Sequence, residues 1–388
     1  MAATLRTADL AESDLELALD IQSRSFGPMP ESRREAWFRG RKEAIAAGRV
    51  IGGYDGSRLV AHARLRPFRQ FWGGRELSMA GMAGVVVTPD YRGQGVASQL
   101  MSAAAQRAGE LGDVLSALYP SVPALYRGVG WELAGVQHRI TIDPDWLRRL
   151  GHSSADVRLA DAESVGQMID LMRAHWTATG ASGPKLLEPE ELRDALGETD
   201  TWGYLTDDGF VVYGWYEGDL YVTHLLAASE SSLRALWSVV GSGASIARSV
   251  HAFVAPHDPV HFLLDRPAAS AVEQGRWMLR LIDAPTAIGE RGYPVSPPVD
   301  VSLTVADPIA PGCDGSWRLR IADGTGSLER APEIDDALRL GANGLAAMYA
   351  GTPLATLRSV GLATGGQSDV DRQLDAAFAA DPYLLEYF

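Results

Sequence analysis

The sequence predicts an α/β protein with mixed sheets (α+β in character), built as three consecutive units. Three observations lead there. The chain has 388 residues, beyond the roughly 250–300 at which one hydrophobic core stops growing. Short runs rich in β-branched and aromatic residues alternate with segments of helical period along its whole length. Two breaks punctuate it: the Pro144–Ala155 region with its Gly151-His152-Ser153-Ser154 turn, and the proline-rich Tyr293–Pro298. The units expected are therefore 1–150, 151–290 and 291–388.

In the first unit, Ser13 and Glu16 have capping-box spacing, with Leu15, Ala18 and Leu19 as the helical stripe behind them. Phe26-Gly27-Pro28 stops that helix. A second short helix is expected over Glu31–Arg41, then strands near Val50–Tyr54, Leu59–Pro67 and Glu76–Thr88. The second unit opens with a helix over Asp161–Gly180. Strands follow at Thr201–Thr206, Phe210–Tyr216 and Leu220–Leu226, then a helix at Glu230–Val240. The third starts with strands at Val299–Val305 and Ser316–Ile321. It ends in helices near Leu340–Tyr349, Leu354–Val360 and Val370–Ala380. The element order of the first two units is broadly similar, a hint of duplication.

Composition narrows the function. Apolar residues make up 46%, ordinary for a folded domain. No run approaches the ~20 apolar residues of a membrane helix, and Met1–Leu10 does not read as a secretory leader. A cytoplasmic enzyme is the simplest expectation. The single Cys313 rules out an internal disulfide and a cysteine-rich metal site. Net charge of −14 argues against a nucleic-acid partner, whose affinity rests on cations. It suits a cationic substrate, although acidic surfaces also simply keep proteins dissolved. His257 and His261 have a ligand-like spacing, but Pro259 between them and the lack of a third ligand speak against a metal. Ser121 lacks the Gly-x-Ser-x-Gly context of a hydrolase nucleophile.

The chemistry is concentrated in Gly84–Ser98. An apolar strand reaches Val85-Val86-Val87, and Pro89 ends it. Arg92-Gly93-Gln94-Gly95-Val96-Ala97 then turns into a helix. Glycines at 93 and 95 let the backbone approach a ligand, and the helix start adds free N–H donors and partial positive charge. Together they form a pyrophosphate site. The Gly-Lys-Ser/Thr of a nucleoside-triphosphate loop is missing. Ser98 stands where a dinucleotide fingerprint needs its third small residue, and Asp113 falls before the next strand rather than at its end. What remains resembles the coenzyme A loop of the GNAT acetyltransferases, Arg/Gln-x-x-Gly-x-Gly/Ala. One helix and one strand later comes Ala124-Leu125-Tyr126-Arg127-Gly128-Val129-Gly130-Trp131, similar to that superfamily's short helix with a tyrosine. A buried structural tyrosine and an ordinary core strand are the plainer alternatives.

Over nearly its whole length the chain also resembles the Eis (enhanced intracellular survival) family. Carrying this are Ala80-Gly81-Met82 before the loop strand, and Trp277–Pro285 followed by Glu290-Arg291-Gly292-Tyr293. The end, Leu374–Asp381 running to Phe388, is also similar. The resemblance implies a catalytic GNAT domain, a degenerate second one and a sterol-carrier-protein-like third. At the equivalent step of the second unit, Leu225–Glu230 has neither the glycines nor the arginine. Acetyl-CoA is the implied cofactor, held by Val85, Val86, Val87, Arg92, Gly93, Gln94, Gly95, Val96 and Ala97. Tyr126 is the implied general acid and the α-carboxylate of Phe388 the implied base. The apolar tail Tyr383-Leu384-Leu385-Glu386-Tyr387-Phe388 suits a docked segment.

Phe26, Trp37, Ala83 and Glu386 are the implied substrate contacts. At Ala83 and Gly84 some relatives carry a polar and an aromatic residue, so the cleft is expected to be more open here. The implied substrate is a small cationic amine, aminoglycosides included, and the implied assembly a homo-oligomer, a hexamer. Acetylation of protein lysines or N-termini, and a non-catalytic acyl-CoA sensor or lipid carrier, are the rival readings.

Overall fold

The computed structural model describes residues 5–150, 153–264 and 271–388. Gly151 and His152, from the expected first linker turn, lie outside them. One large mixed sheet runs through the first two units. Its strands in chain order are β1 (Arg6–Asp9), β2 (Val50–Asp55), β3 (Arg58–Trp72), β4 (Arg75–Val87), β5 (Leu115–Leu118), β6 (Glu132–Ile142), β7 (Arg158–Leu159), β8 (Lys185–Leu186), β9 (Thr201–Leu205), β10 (Gly209–Tyr216), β11 (Asp219–Ala227), β12 (Val250–Val254) and β13 (Ala271–Leu281). The spatial order is β1-β2-β3-β4-β5-β13-β6-β12-β11-β10-β9-β7, with β8 against β3. The helices are α1 (Leu15–Phe26), α2 (Glu31–Ala46), α3 (Val96–Glu110), α4 (Pro123–Arg127), α5 (Pro144–Arg148), α6 (Val165–Ala178), α7 (Pro189–Gly197), α8 (Glu230–Gly241) and α9 (Val260–Leu263).

A feature of this sheet that the sequence reading did not anticipate is β13. It inserts antiparallel between β5 and β6, pairing Met278–Leu281 with Leu118–Leu115 and Ala271–Leu279 with β6. A strand late in the chain thus completes the sheet begun by the first residues. β6 is shared likewise, since its far end pairs with β12.

Beyond the sheet come α10 (Ala284–Glu290) and a five-stranded sheet of β14 (Val299–Ala306), β15 (Gly315–Ala322), β16 (Thr325–Arg330), β17 (Leu338–Gly341) and β18 (Ala363–Gly365), ordered β16-β15-β14-β17-β18. It is covered by α11 (Ala342–Tyr349), α12 (Leu354–Ser359) and α13 (Ser368–Ala377). Its core is continuous with that of the large sheet through Trp72, Trp277, Leu279 and Tyr349. The junction is tight. A Cβ on Gly292 would collide with the Gly73 carbonyl oxygen, and one on Gly73, at φ +57°, with Gly292 in turn. Arg280 is fully buried. It donates to Val129 O at 2.7 Å and to both oxygens of Asp307 at 2.6 and 2.9 Å.

The structure corrects several local expectations. The capping box at Ser13 does not form: Ser13 lies in a 3-10 turn, and Asp14 precedes α1 without a side-chain cap bond. The second helix runs on to Ala46. Pro144–Arg148 is a helix with buried Pro144 and Leu147, packed on α8 rather than free as a linker. Leu340 belongs to β17, because the apolar run there is a buried strand feeding directly into α11.

Candidate active site

The phosphate-type loop forms as its residues require. β4 ends at Val87, Pro89–Tyr91 makes a 3-10 turn, and α3 starts at Val96. Gly93 and Gly95 have φ of +76° and +80°, and no atom lies within 4 Å of where either Cβ would be. The N-terminus of α3 has no side-chain cap and no acidic residue in its first turn. Its donors therefore face outward. Arg92 braces the loop, donating from Nε to Val87 O and from a terminal nitrogen to Ser25 Oγ, both at 3.3 Å. Gln94 Nε2 donates back to Asp90 O at 2.9 Å. The second unit contrasts. There Ser229 caps α8 through the Ser232 N–H, and Glu230 follows in the first turn, so the donor is consumed and an anion repelled.

Beside the loop the sheet opens. β4 pairs with β5 only from Met79 to Gly81, whereas it follows β3 as far as Val87. The β5-side edge of β4 is thus left free beyond Gly81. Val85 and Val87 lean toward the α3 side and Val86 is buried under α1. Gly84 and Val85 bulge, two residues of β4 standing opposite Ala63 alone, with Gly84 at φ +57°.

Tyr126 is buried on α4, in the cluster that holds Met82, Val96 and Leu118. Burial raises its phenol above the ordinary range, and a hydrogen bond with Ser121 partly opposes that. The tail docks firmly. Tyr383 bridges Val136, Leu384 N–H donates to Val136 O at 2.9 Å, and Tyr119 Oη donates to Glu386 O at 3.1 Å. Phe388 rests against Phe68 and Tyr119, its Cβ within 3.2 Å of where a Gly81 Cβ would stand, at the point where β4 and β5 part.

The implied substrate contacts scatter. Phe26 is exposed at the end of α1. Trp37 Nε1 donates to Gln22 at 3.1 Å. Ala83 flanks the bulge. Glu386 already has partners within the chain: Lys185 at 3.8 Å, and His224 Nε2 at 3.1 Å from its other oxygen. Its Oε1 is buried and accepts no hydrogen bond. The room at Gly84, read as an opening of the cleft, is instead taken by Arg41, whose Nη2 would stand 2.7 Å from a Cβ there. Arg41, Tyr119, Lys185 and His224 were not singled out in the sequence. For Arg41 a signal existed, since it stands four residues after Trp37 on the same helix face. The others reach the site only through sheet pairing and tail docking. Among the described residues no group of three or more potential metal ligands occurs, and His257 lies beside Asp381 at 3.9 Å. No helix there is long and apolar enough to cross a membrane.

A glycine loop at a bare helix start, an unpaired strand edge and a tyrosine beside it define a coenzyme A-dependent acyltransferase fold. Residues 6–134 and 188–281 each match the acetyltransferase (GNAT) domain family, and 284–385 match the sterol carrier protein domain. A GCN5-related N-acetyltransferase from Kribbella flavida superimposes with a TM-score of 0.96 at 45% identity, covering 99% of this chain and 98% of that one. The N-acetyltransferase Eis of Mycobacterium tuberculosis is 28% identical over 357 residues, 85% of each chain. Eis1 from Mycobacterium abscessus shares the fold, with a TM-score of 0.75 at 19% identity over both whole chains. The chain belongs to the GCN5-related N-acetyltransferases, as an Eis-like member with two GNAT domains and a C-terminal sterol carrier domain. Its cofactor is acetyl-CoA. The open space at Gly93 and Gly95 and the free edge of β4 fit a pyrophosphate and an extended pantetheine arm.

Proposed function

We propose that the protein transfers acetyl to a primary amine of a small molecule at the mouth of the β4–β5 split. The carrying observation is that Phe388 docks where the strands part, in the same sheet opening that the α3 N-terminus and the Tyr126 cluster flank. Acetyl-CoA supplies an activated acetyl thioester. Between Val85 and Val87, alternate backbone N–H groups turn to the free edge, able to polarise a carbonyl. Tyr126, held protonated by burial, carries at Oη the proton that a leaving thiolate takes up. The Phe388 α-carboxylate accepts the proton of the attacking amine. Lys185 and His224 position it by holding Glu386. The units 1–150, 151–290 and 291–388 remain our division, with β6 and β13 as the shared strands.

The aminoglycoside range of the resemblance is not favoured here, because Arg41, Arg64, Arg66 and Lys185 crowd the same wall. A homo-oligomer, hexameric by resemblance, and a cytoplasmic location complete the proposal; sedimentation would test the first. The main test is release of free thiol from acetyl-CoA over a panel of amines. Wild type is compared with Tyr126→Phe and with a chain extended by one glycine, which displaces the carboxylate while keeping every side chain. Losses of about 10²-fold in both, with acetyl-CoA binding intact, support the two roles. Unchanged turnover in both rejects them.

A further inference from the structure

The buried wall between α2 and β3 carries positive charge that the protein leaves uncompensated. Arg41 is 5% exposed. One terminal nitrogen donates to Gln22 Oε1 at 3.2 Å, while Nε and Nη1 have no partner. Its guanidinium lies 5.1 Å from the centroid of Trp37, so the indole holds one face while Nε and Nη1 stay unpartnered. Arg64, opposite Ala83 in the β3–β4 register, has a buried Nε without a partner. His62 precedes them on the same face of β3, fully buried, with Nδ1 unpartnered and Nε2 on Ala18 O at 3.0 Å.

Neighbouring carboxylates do not close the balance. Glu191 pairs with Arg66 and stands 3.7 Å from Lys185. Glu43, from an exposed position, and the same Glu191 act on Arg64 only at longer range. Among the described residues, neither Arg41 nor Arg64 has a carboxylate within the 4.0 Å of an ion pair. Burial first, and then the charges of Arg64 and Arg66, lower the pKa of Arg41 to about 9. Buried guanidinium groups are normally paired, since unmade hydrogen bonds to charged donors are costly.

This wall adjoins the transfer point. Gly84, whose missing side chain admits Arg41, follows Gly81, where the strands part, by three residues, about 10 Å of strand. We infer that Arg41, with Arg64, forms an oxyanion subsite, so that the acceptor is a small amine carrying a carboxylate or phosphate within about 10 Å of its nitrogen. The unpartnered Nε and Nη1 of Arg41 suit such a group through charge-assisted hydrogen bonds. The inference rests on the acetyltransfer reading above and deepens it with a substrate class.

The experiment uses matched acceptors: β-alanine against β-alaninamide, phenylalanine against phenylalaninamide, phosphoethanolamine against ethanolamine, and aminoglycosides as polycations. Thiol release is read for wild type, Arg41→Met and Arg41→Lys. Thermal stabilisation by each compound without acetyl-CoA is read in parallel. At least one oxyanion member should exceed its neutral partner by tenfold or more in kcat/KM; which pair does so tells carboxylate from phosphate. Arg41→Met should abolish that preference mainly through KM, and Arg41→Lys should restore part of it. Equal use of charged and neutral members by wild type, or preference for aminoglycosides, would overturn the subsite whatever the variants do. If no amine is acetylated, yet the oxyanion members stabilise wild type and not Arg41→Met, the subsite stands and the acetyltransfer reading fails. If neither turnover nor stabilisation distinguishes the members, the subsite fails.

Discussion

At Tyr126 and His62, burial sets the protonation state, with opposite uses. The Tyr126 phenol is raised, so it stays protonated through neutral pH and is available as an acid. His62 is depressed to about 3, by desolvation first and the charge of Arg41 second. Its folded pKa lies below the unfolded value of about 6.5. The unfolded chain therefore binds the extra proton, and the associated stability, complete above about pH 6.5, erodes as pH falls toward 3. Asp258, raised to about 6 by burial, works in the opposite sense, losing stability as pH rises. His62→Phe should thus flatten the loss of denaturation midpoint between pH 6.5 and 4 relative to wild type. An identical acid slope in the two proteins would show that His62 does not contribute. Separately, Tyr126→Phe should lower kcat by about 10²-fold while leaving the acetyl-CoA dissociation constant within about threefold.

In the proposed reaction the start of α3 holds the cofactor phosphates, and that role depends on what is not there. Gly95 at the cap position supplies φ of +80° and no side-chain acceptor. Gly95→Asp makes a sharp test, because aspartate tolerates the left-handed region better than most residues and sets a carboxylate at the helix start. Folding should be maintained within about 1 kcal/mol. Acetyl-CoA affinity should fall by more than tenfold, since the carboxylate takes the donors and repels phosphate. Calorimetric titration would check it; unchanged affinity would move the phosphate site elsewhere. The α8 start, capped by Ser229, already shows this arrangement in the second domain.

Across the molecule, the proposed transfer site draws on distant parts of the chain. β13 supplies the strand between β5 and β6, and residues 383–388 cross to the opening of β4. The buried Arg280–Asp307 pair joins β13 to the C-terminal domain at 2.6 Å. Asp307→Ala leaves a guanidinium without its counter-charge, so stability should fall by about 3–5 kcal/mol. Chemical denaturation would measure it, and a change below about 1 kcal/mol would mean that Val129 O and water suffice. Gly292→Ala should also destabilise, because the Gly73 backbone leaves no volume for a methyl group.

Local chemistry made part of this legible. The loop Arg92–Ala97, the proline stop at Pro89, the short tyrosine helix and the uncapped step of α3 are all properties of consecutive residues, and sequence carries those directly. The mixed α/β character followed from periodicity for the same reason. The capping box at Ser13 misled because its spacing is also satisfied by a 3-10 turn. The pairing of β13 into the first sheet, the occupation of Gly84 by Arg41 and the pairing of Glu386 with His224 and Lys185 join residues from tens to hundreds of positions apart. Spacing along the chain carries no record of which strands will be neighbours. Net charge, −14, likewise describes the surface as a whole and not the lining of one cleft. Folding sets the buried Arg41 beside the half-buried Arg64, and Arg66 with the buried Lys185 beside Glu191, which is a property of the packed molecule alone.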